Sequence, residues 1–168
     1  NISDKIGVDV GSWDGLHYSN IYNLLKHESW GGILIESNSK RINESRQRWK
    51  DRKDINHYEG IVNREDNDIN IILKNFKCPK NFGIFNLDID SIDFWVWKDL
   101  TYTPEIVCIE HNGNIIDDDK VVPYSTSWEY SHYQDDYGAS AKSLLRLGHH
   151  KGYKLVSATH CNLIFVKN

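Results

Sequence analysis

Short apolar runs rich in β-branched residues recur along the chain, each closed by an acid or a turn. Between them lie stretches whose apolar positions fall three and four residues apart. The first run carries Ile6, Val8 and Val10, holds Asp9 near its end, and passes into a loop with Gly11 and Gly15. It reads as a buried parallel strand handing over to a helix, with glycines where a ligand would lie against the backbone. Ile21, Leu24 and Leu25 then follow helical spacing, with Ser19 or Asn20 as cap and Gly31-Gly32 as stop. The second run, 32–36, closes on Glu36, and Ser37-Asn38-Ser39 offers caps for a helix with Ile42 and Trp49 on one face. A third strand over 55–58 exits through Gly60-Ile61-Val62 and precedes a helix at 69–75 whose Ile69, Ile72 and Leu73 face inward. Residues 82–88 make a fourth strand, 93–100 a helix that begins in acids, and 106–110 a fifth strand opened by Pro104.

The rhythm breaks at 111–139, a stretch rich in Asp, Tyr, Ser and Gly that is too long for a passive connection. Its 113–139 portion is expected to be a substrate lid. Ser140 then caps a helix with Ala141, Leu144, Leu145 and Gly148 on one face, and strands at 153–158 and 162–166, joined through Thr159-His160-Cys161, form a closing antiparallel hairpin. The pattern predicts an α/β fold: a mostly parallel, seven-stranded sheet with helices on both faces. A length of 168 residues suits one domain, 1–168.

Composition narrows the setting. No apolar stretch approaches the roughly 20 residues that span a bilayer. The net charge of −4 exerts no global pull on nucleic acid or anionic membrane. Cys78, Cys108 and Cys161 are odd in number and form no C-x-x-C pair, which disfavours a disulfide framework or structural zinc and fits a reducing, cytoplasmic setting. With no methionine, even at position 1, the chain reads as a segment of something longer, so targeting signals are not assessable.

In an open α/β sheet, ligands bind beyond the carboxyl ends of the strands, and the acids there are Asp9, Glu36, Asp88 and Glu110. A carboxylate after the second strand can accept both hydroxyls of a ribose, which gives Glu36 a nucleoside role. A dinucleotide is disfavoured because Trp13 and Leu16 stand where G-x-G-x-x-G needs small residues. The cluster Asp88, Asp90, Ser91 and Asp93 has three open uses: capping the next helix, raising one carboxyl's pKa for base catalysis, or holding a divalent cation. Asp88 and Asp90 project to one side if the strand persists. His111, in Glu110-His111-Asn112, is a candidate neutral base or a plain hydrogen-bonding residue. The basic residues between Lys40 and Lys53 read as a solvated helix face, with a phosphate-contacting surface as the alternative.

With these residues laid out, the chain resembles the class I S-adenosylmethionine-dependent methyltransferases, specifically the FkbM-like family. The resemblance rests on the ordered blocks VDVGSWDGLHYSN (8–20), WGGILIESN (30–38), NLDIDSIDFWVWKDL (86–100), PEIVCIEHN (104–112) and YGASAKSLLRLGHHKGYKLV (137–156). It implies a single Rossmann-like methyltransferase domain. Asp9, Gly11, Ser12, Trp13 and Gly15 would form the methionine-side loop of the cofactor site, Glu36 with Ser37 would hold the ribose, and Gly60, Ile61 and Val62 would approach the adenine. Asp88 would lie near the transferred methyl, with Asp90 and His111 as further catalytic candidates. Tyr124, Trp128, Tyr130 and Tyr133 would make an aromatic wall. The implied reaction is O-methylation of a small molecule or glycan, with S-adenosylmethionine as cofactor and a divalent metal possible but not favoured. An RNA methyltransferase or a catalytically silent binding module are the alternatives.

Overall fold

The computed structural model describes residue 2 and residues 4–115, 119–125 and 137–168. Seven strands, β1 (Ile6–Val10), β2 (Gly31–Glu36), β3 (Ile55–Glu59), β4 (Ile84–Leu87), β5 (Ile106–Glu110), β6 (Tyr153–Ala158) and β7 (Asn162–Lys167), form one sheet in the order β3-β2-β1-β4-β5-β7-β6. The first five pair in parallel, while β7 runs antiparallel between β5 and β6. The order reverses between β1 and β4, and a crevice opens at the carboxyl ends there.

Among the described residues, five helices alternate with the strands: α1 (Tyr22–His27), α2 (Ser39–Arg48), α3 (Ile69–Asn75), α4 (Asp93–Asp99) and α5 (Ala141–His150). The two-residue period of the strands sorts side chains to opposite faces. Val8, Val10, Ile33, Ile35, Phe85, Leu87, Val107 and Ile109 join the larger core with Ile72 and Leu73 of α3, Trp97 of α4 and Leu144 of α5. Leu34, Ile55 and Ile84 point the other way, to Ile21, to Leu25 of α1 and to Trp49.

Several local expectations are corrected. Neither Ser19 nor Asn20 caps α1, whose N-cap is Ile21 with no side-chain bond. The Ser19 hydroxyl instead donates to Asp9 Oδ2 at 2.6 Å, and Asn20 donates to Asn86 Oδ1 at 3.0 Å. Gly31-Gly32 belongs to β2, and the chain leaves α1 through Ser29 at φ 56°. Ser91 and Asp93 do not cap α4, since its N-cap is Ile92 without a side-chain bond. In α5 the buried face is Ser143, Leu144, Leu147 and Gly148, while Leu145 is exposed. Ser140 does cap that helix, accepting from Ser143 N.

Of the expected lid, 116–118 and 126–136, with Trp128, Tyr130 and Tyr133, lie outside the described residues. The described part is tied down. Val121 bridges Ala139, Trp95 Nε1 donates to the Val122 carbonyl at 2.9 Å, and the Tyr124 hydroxyl accepts from Arg64 N and donates to Glu65.

Candidate active site

A cleft of about 850 Å³ opens at the carboxyl ends of β1–β4. Val10, Gly11, Trp13 and Tyr18 enter it from the end of β1 and the loop beyond; Ile35, Glu36, Ser37 and Asn38 from the end of β2; Gly60, Ile61 and Val62 from the end of β3. Residues 88–92 after β4, together with Ser125, complete it. Among these described residues there is no Lys, Arg or His, and three are acids: Glu36, Asp88 and Asp90.

Glu36 is held in place by the backbone. Its Oε2 accepts from Trp13 N at 2.9 Å and its Oε1 from Asn38 N at 2.8 Å, and the residue is buried. Each carboxylate oxygen carries further lone pairs, so the group is oriented yet still able to accept from a ligand. Asn38 also caps α2, accepting from Lys40 N and Arg41 N, which fixes the turn that carries Ser37 past the cleft.

The glycines of the first loop serve packing more than ligand space. A Cβ on Gly11, at φ 83°, would overlap the carbonyl oxygen of Asp88. One on Gly15, at φ 70°, would overlap the Ser45 hydroxyl. Gly11 therefore brings the first loop onto the end of β4, and Gly15 seats it on α2. Ser12 is buried beneath that loop, and Gly15 is buried with it. Asp9 is fully buried too, because the strand period turns its side chain away from the cleft. There it accepts from Ser19 Oγ and from Asn86 Nδ2 at 2.7 Å, and burial pushes its carboxyl up to about 6. Asn86, which the sequence reading overlooked, thus ties β4 to β1 beneath the site.

At the far end of the cleft, one oxygen each of Asp88, Asp90 and Glu110 lie within 4.8 Å of one another. The strand does not persist to Asp90. It ends at Leu87, and Asp90 reaches the cluster through a left-handed turn, φ 59°. Asp93 braces that turn, its Oδ1 accepting from Ile89 N at 2.9 Å and its Oδ2 from Ser91 N at 3.0 Å. Burial, then the charges of Asp93, Asp90 and Asp9, push Asp88 up to about 7. Burial and the neighbouring acids push Glu110 further, to about 10. Crowded together, these acids hold a proton more tightly than free carboxyls do, and a hydrogen bond joins Asp88 to Glu110. Such a trio can orient and deprotonate a hydroxyl, and its spacing would also admit a hard divalent cation.

His111 stands apart from the described cleft lining. Its Nε2 lies 3.3 Å from the Thr159 carbonyl in the β6–β7 turn, and its buried Nδ1 has no hydrogen-bond partner among the described residues. Four arginines of the basic stretch are ion-paired within the chain: Arg41 with Glu44, Arg46 with Glu59, Arg48 with Asp14, and Arg52 beyond the helix with Asp54. No described helix is long and apolar enough to cross a membrane.

No protein-family model matches the sequence, and no curated protein matches it. The fold, however, is similar to solved structures. One is the N-terminal domain of EvdMO1 with SAH bound, at TM-score 0.62 and 12% identity over 97% of this chain and 74% of that one. The same domain was solved in the presence of SAH and D-fucose, at TM-score 0.60 and 12% identity over 97% and 75%. Another is NcsB1, an O-methyltransferase from neocarzinostatin biosynthesis in complex with S-adenosyl-L-homocysteine (SAH) and 1,4-dihydroxy-2-naphthoic acid, at 0.53 and 14% over 98% and 49%. A third is M. capricolum TrmK in complex with SAH, at 0.58 and 13% over 99% and 64%. The chain has the Rossmann-like methyltransferase fold.

Proposed function

We propose that this chain binds S-adenosylmethionine in the cleft and transfers its methyl group to a hydroxyl of a small molecule or glycan. The observation that carries the reading is the Glu36 carboxylate, presented at the end of β2 by two backbone N–H groups and flanked by the loops after β1 and β3. Bound there, the cofactor supplies a methyl group on a cationic sulfur, already activated for displacement. Glu36 accepts the ribose hydroxyls, and Gly60, Ile61 and Val62 border the adenine. Asp88 takes the acceptor's proton, and Asp90 with Ser91 orients the hydroxyl. Asp9, Ser12 and Gly15 act from beneath, by shaping the loop. The single-domain reading of 1–168 rests on one sheet that takes strands from both ends of the chain.

Hydroxyl acceptors are favoured by the company the fold keeps: EvdMO1, solved in the presence of D-fucose, and NcsB1, in complex with a dihydroxynaphthoic acid. They are also favoured by the acidic lining, which repels phosphate and carboxylate groups near the reacting end. The ordered sequence blocks support placement within the FkbM-like family. The test is transfer of labelled methyl from S-adenosylmethionine to a panel of sugars, phenols and RNA. Methylation of a hydroxyl acceptor, rising with pH through about 7 as Asp88 ionises, is the expected result. Asp88→Asn should lose turnover by about a hundredfold, the ordinary contribution of a general base, while still binding cofactor. Turnover should persist in chelator. Methylation of RNA alone would contradict the reading.

A further inference from the structure

Backbone strain and unpaired apolar surface meet on the rim of the cleft. Among the described residues, five non-glycines have positive φ: Trp13, Tyr18, Ser29, Lys77 and Asp90. Ser29 and Lys77 follow the C-caps of α1 and α3, where a left-handed residue commonly ends a helix. The other three line the cleft. A bulky side chain at positive φ persists only where surrounding contacts hold it, and such residues gather at ligand sites.

Trp13 is held by its N–H on Glu36 and by the Arg41 guanidinium 4.4 Å over its ring. Among the described residues, Tyr18 has no comparable ring or hydrogen-bond contact. At φ 61° its side chain is 85% exposed, the most exposed large hydrophobic described. Folding gains almost no buried area from that ring, yet its backbone is fixed on both sides. Asp14 accepts from Leu16 N and His17 N just before it, and Ser19 is bonded to Asp9 just after it. The second most exposed large hydrophobic, Ile61 at 63%, also lines the cleft. Tyr18 and Ile61 follow β1 and β3, the two strands that flank β2 and its Glu36. Singly exposed hydrophobics are ordinary on a protein surface, but these two line one cleft from the strands on either side of the oriented carboxylate, and one of them holds a positive φ there.

We propose that Tyr18 is a cofactor-covering residue, its ring closing over S-adenosylmethionine with Ile61 across the cleft. The inference rests on the cofactor reading above and adds a binding role for a residue outside the glycine, ribose and adenine contacts. Strain gives it a distinctive signature, because glycine adopts positive φ without penalty and the lost ring was unburied. The experiment is SAH titration by calorimetry, with thermal melting of the ligand-free protein, for wild type, Tyr18→Gly and Tyr18→Phe. Tyr18→Gly should melt at or above the wild-type temperature yet bind SAH about tenfold more weakly, roughly what one covering aromatic contributes. Tyr18→Phe should match wild type in both. SAH affinity of Tyr18→Gly within twofold of wild type overturns the proposal alone. A lower ligand-free melting temperature for Tyr18→Gly also overturns it, by assigning the ring a structural role. Absence of SAH binding by wild type overturns the cofactor reading and this proposal with it.

Discussion

Removing the Asp93 carboxylate takes away the acceptor for two backbone N–H groups, those of Ile89 and Ser91, in the turn that presents Asp88 and Asp90. A buried donor left without its acceptor costs about 1–3 kcal/mol, and less here because Ile89 and Ser91 are half-buried at an open cleft, so Asp93→Ala should destabilise by about 1–2 kcal/mol. Urea unfolding measures that loss. Its charge also matters: after burial, Asp93 is the largest influence raising Asp88. Turnover retained by Asp93→Asn should therefore keep its rise with pH but shift it to lower pH, which a pH–rate profile reads directly. The residue types of this cluster were legible in the sequence, and so was Glu36. Their division of labour was not. Whether an acid caps a helix, braces a turn or faces a ligand depends on a backbone reversal at Asp90 that no local pattern announces. For the same reason Asp9 read as a site acid, although the strand period turns it beneath the loop.

At the scale of elements, the apolar periodicity gave β5, β6 and α3 their observed limits, because burial on a sheet or helix face repeats locally. The ends of α1 were another matter. Its expected caps are drawn to Asp9 and Asn86, partners brought together only when β1 and β4 pair. Its last turn is satisfied from α2's far side: Arg52 donates to the Leu25 carbonyl at 2.7 Å and to the Trp30 carbonyl at 2.8 Å, while a two-point contact with Asp54 holds its guanidinium. Arg52→Ala should cost about 2 kcal/mol, since hydrogen bonds from charged donors are worth about 1.5–3 kcal/mol when buried and less where water competes. Arg52→Lys should recover less than half of it, because one ammonium lacks the fork that reaches both carbonyls and the carboxylate. Denaturant midpoints of the two variants test this.

Four of the described acids, two buried and two half-buried, are held above the ordinary carboxylate range. Asp9 and Asp93 are pushed up to about 6, Asp88 to about 7 and Glu110 to about 10, each first of all by burial. For an acid whose folded pKa is raised, the folded chain holds protons that the unfolded chain has released, so stability falls as pH rises from about 4 through these values. His57 works the other way: burial pushes it down to about 4, and its contribution fades as pH falls below its ordinary 6.5. Four acids outweigh one histidine. The ligand-free protein should melt higher at pH 5 than at pH 8, a direction that differential scanning calorimetry checks. Below about pH 4 the trend reverses as Asp14 and Asp54, held low with hydrogen bonding and their cationic partners opposing desolvation, take up protons.

A fold that keeps acids buried beneath an open crevice sacrifices stability for a site, and the central claim is that this site holds S-adenosylmethionine through Glu36. The dissociation constant of SAH for Glu36→Ala relative to wild type, in a variant shown to be folded by circular dichroism, tests it most directly. Loss of a charged acceptor is worth about 1.5–3 kcal/mol, so the account predicts affinity weakened by about one to two orders of magnitude. Equal affinity in the two proteins, or no binding of SAH to the wild type, would contradict it.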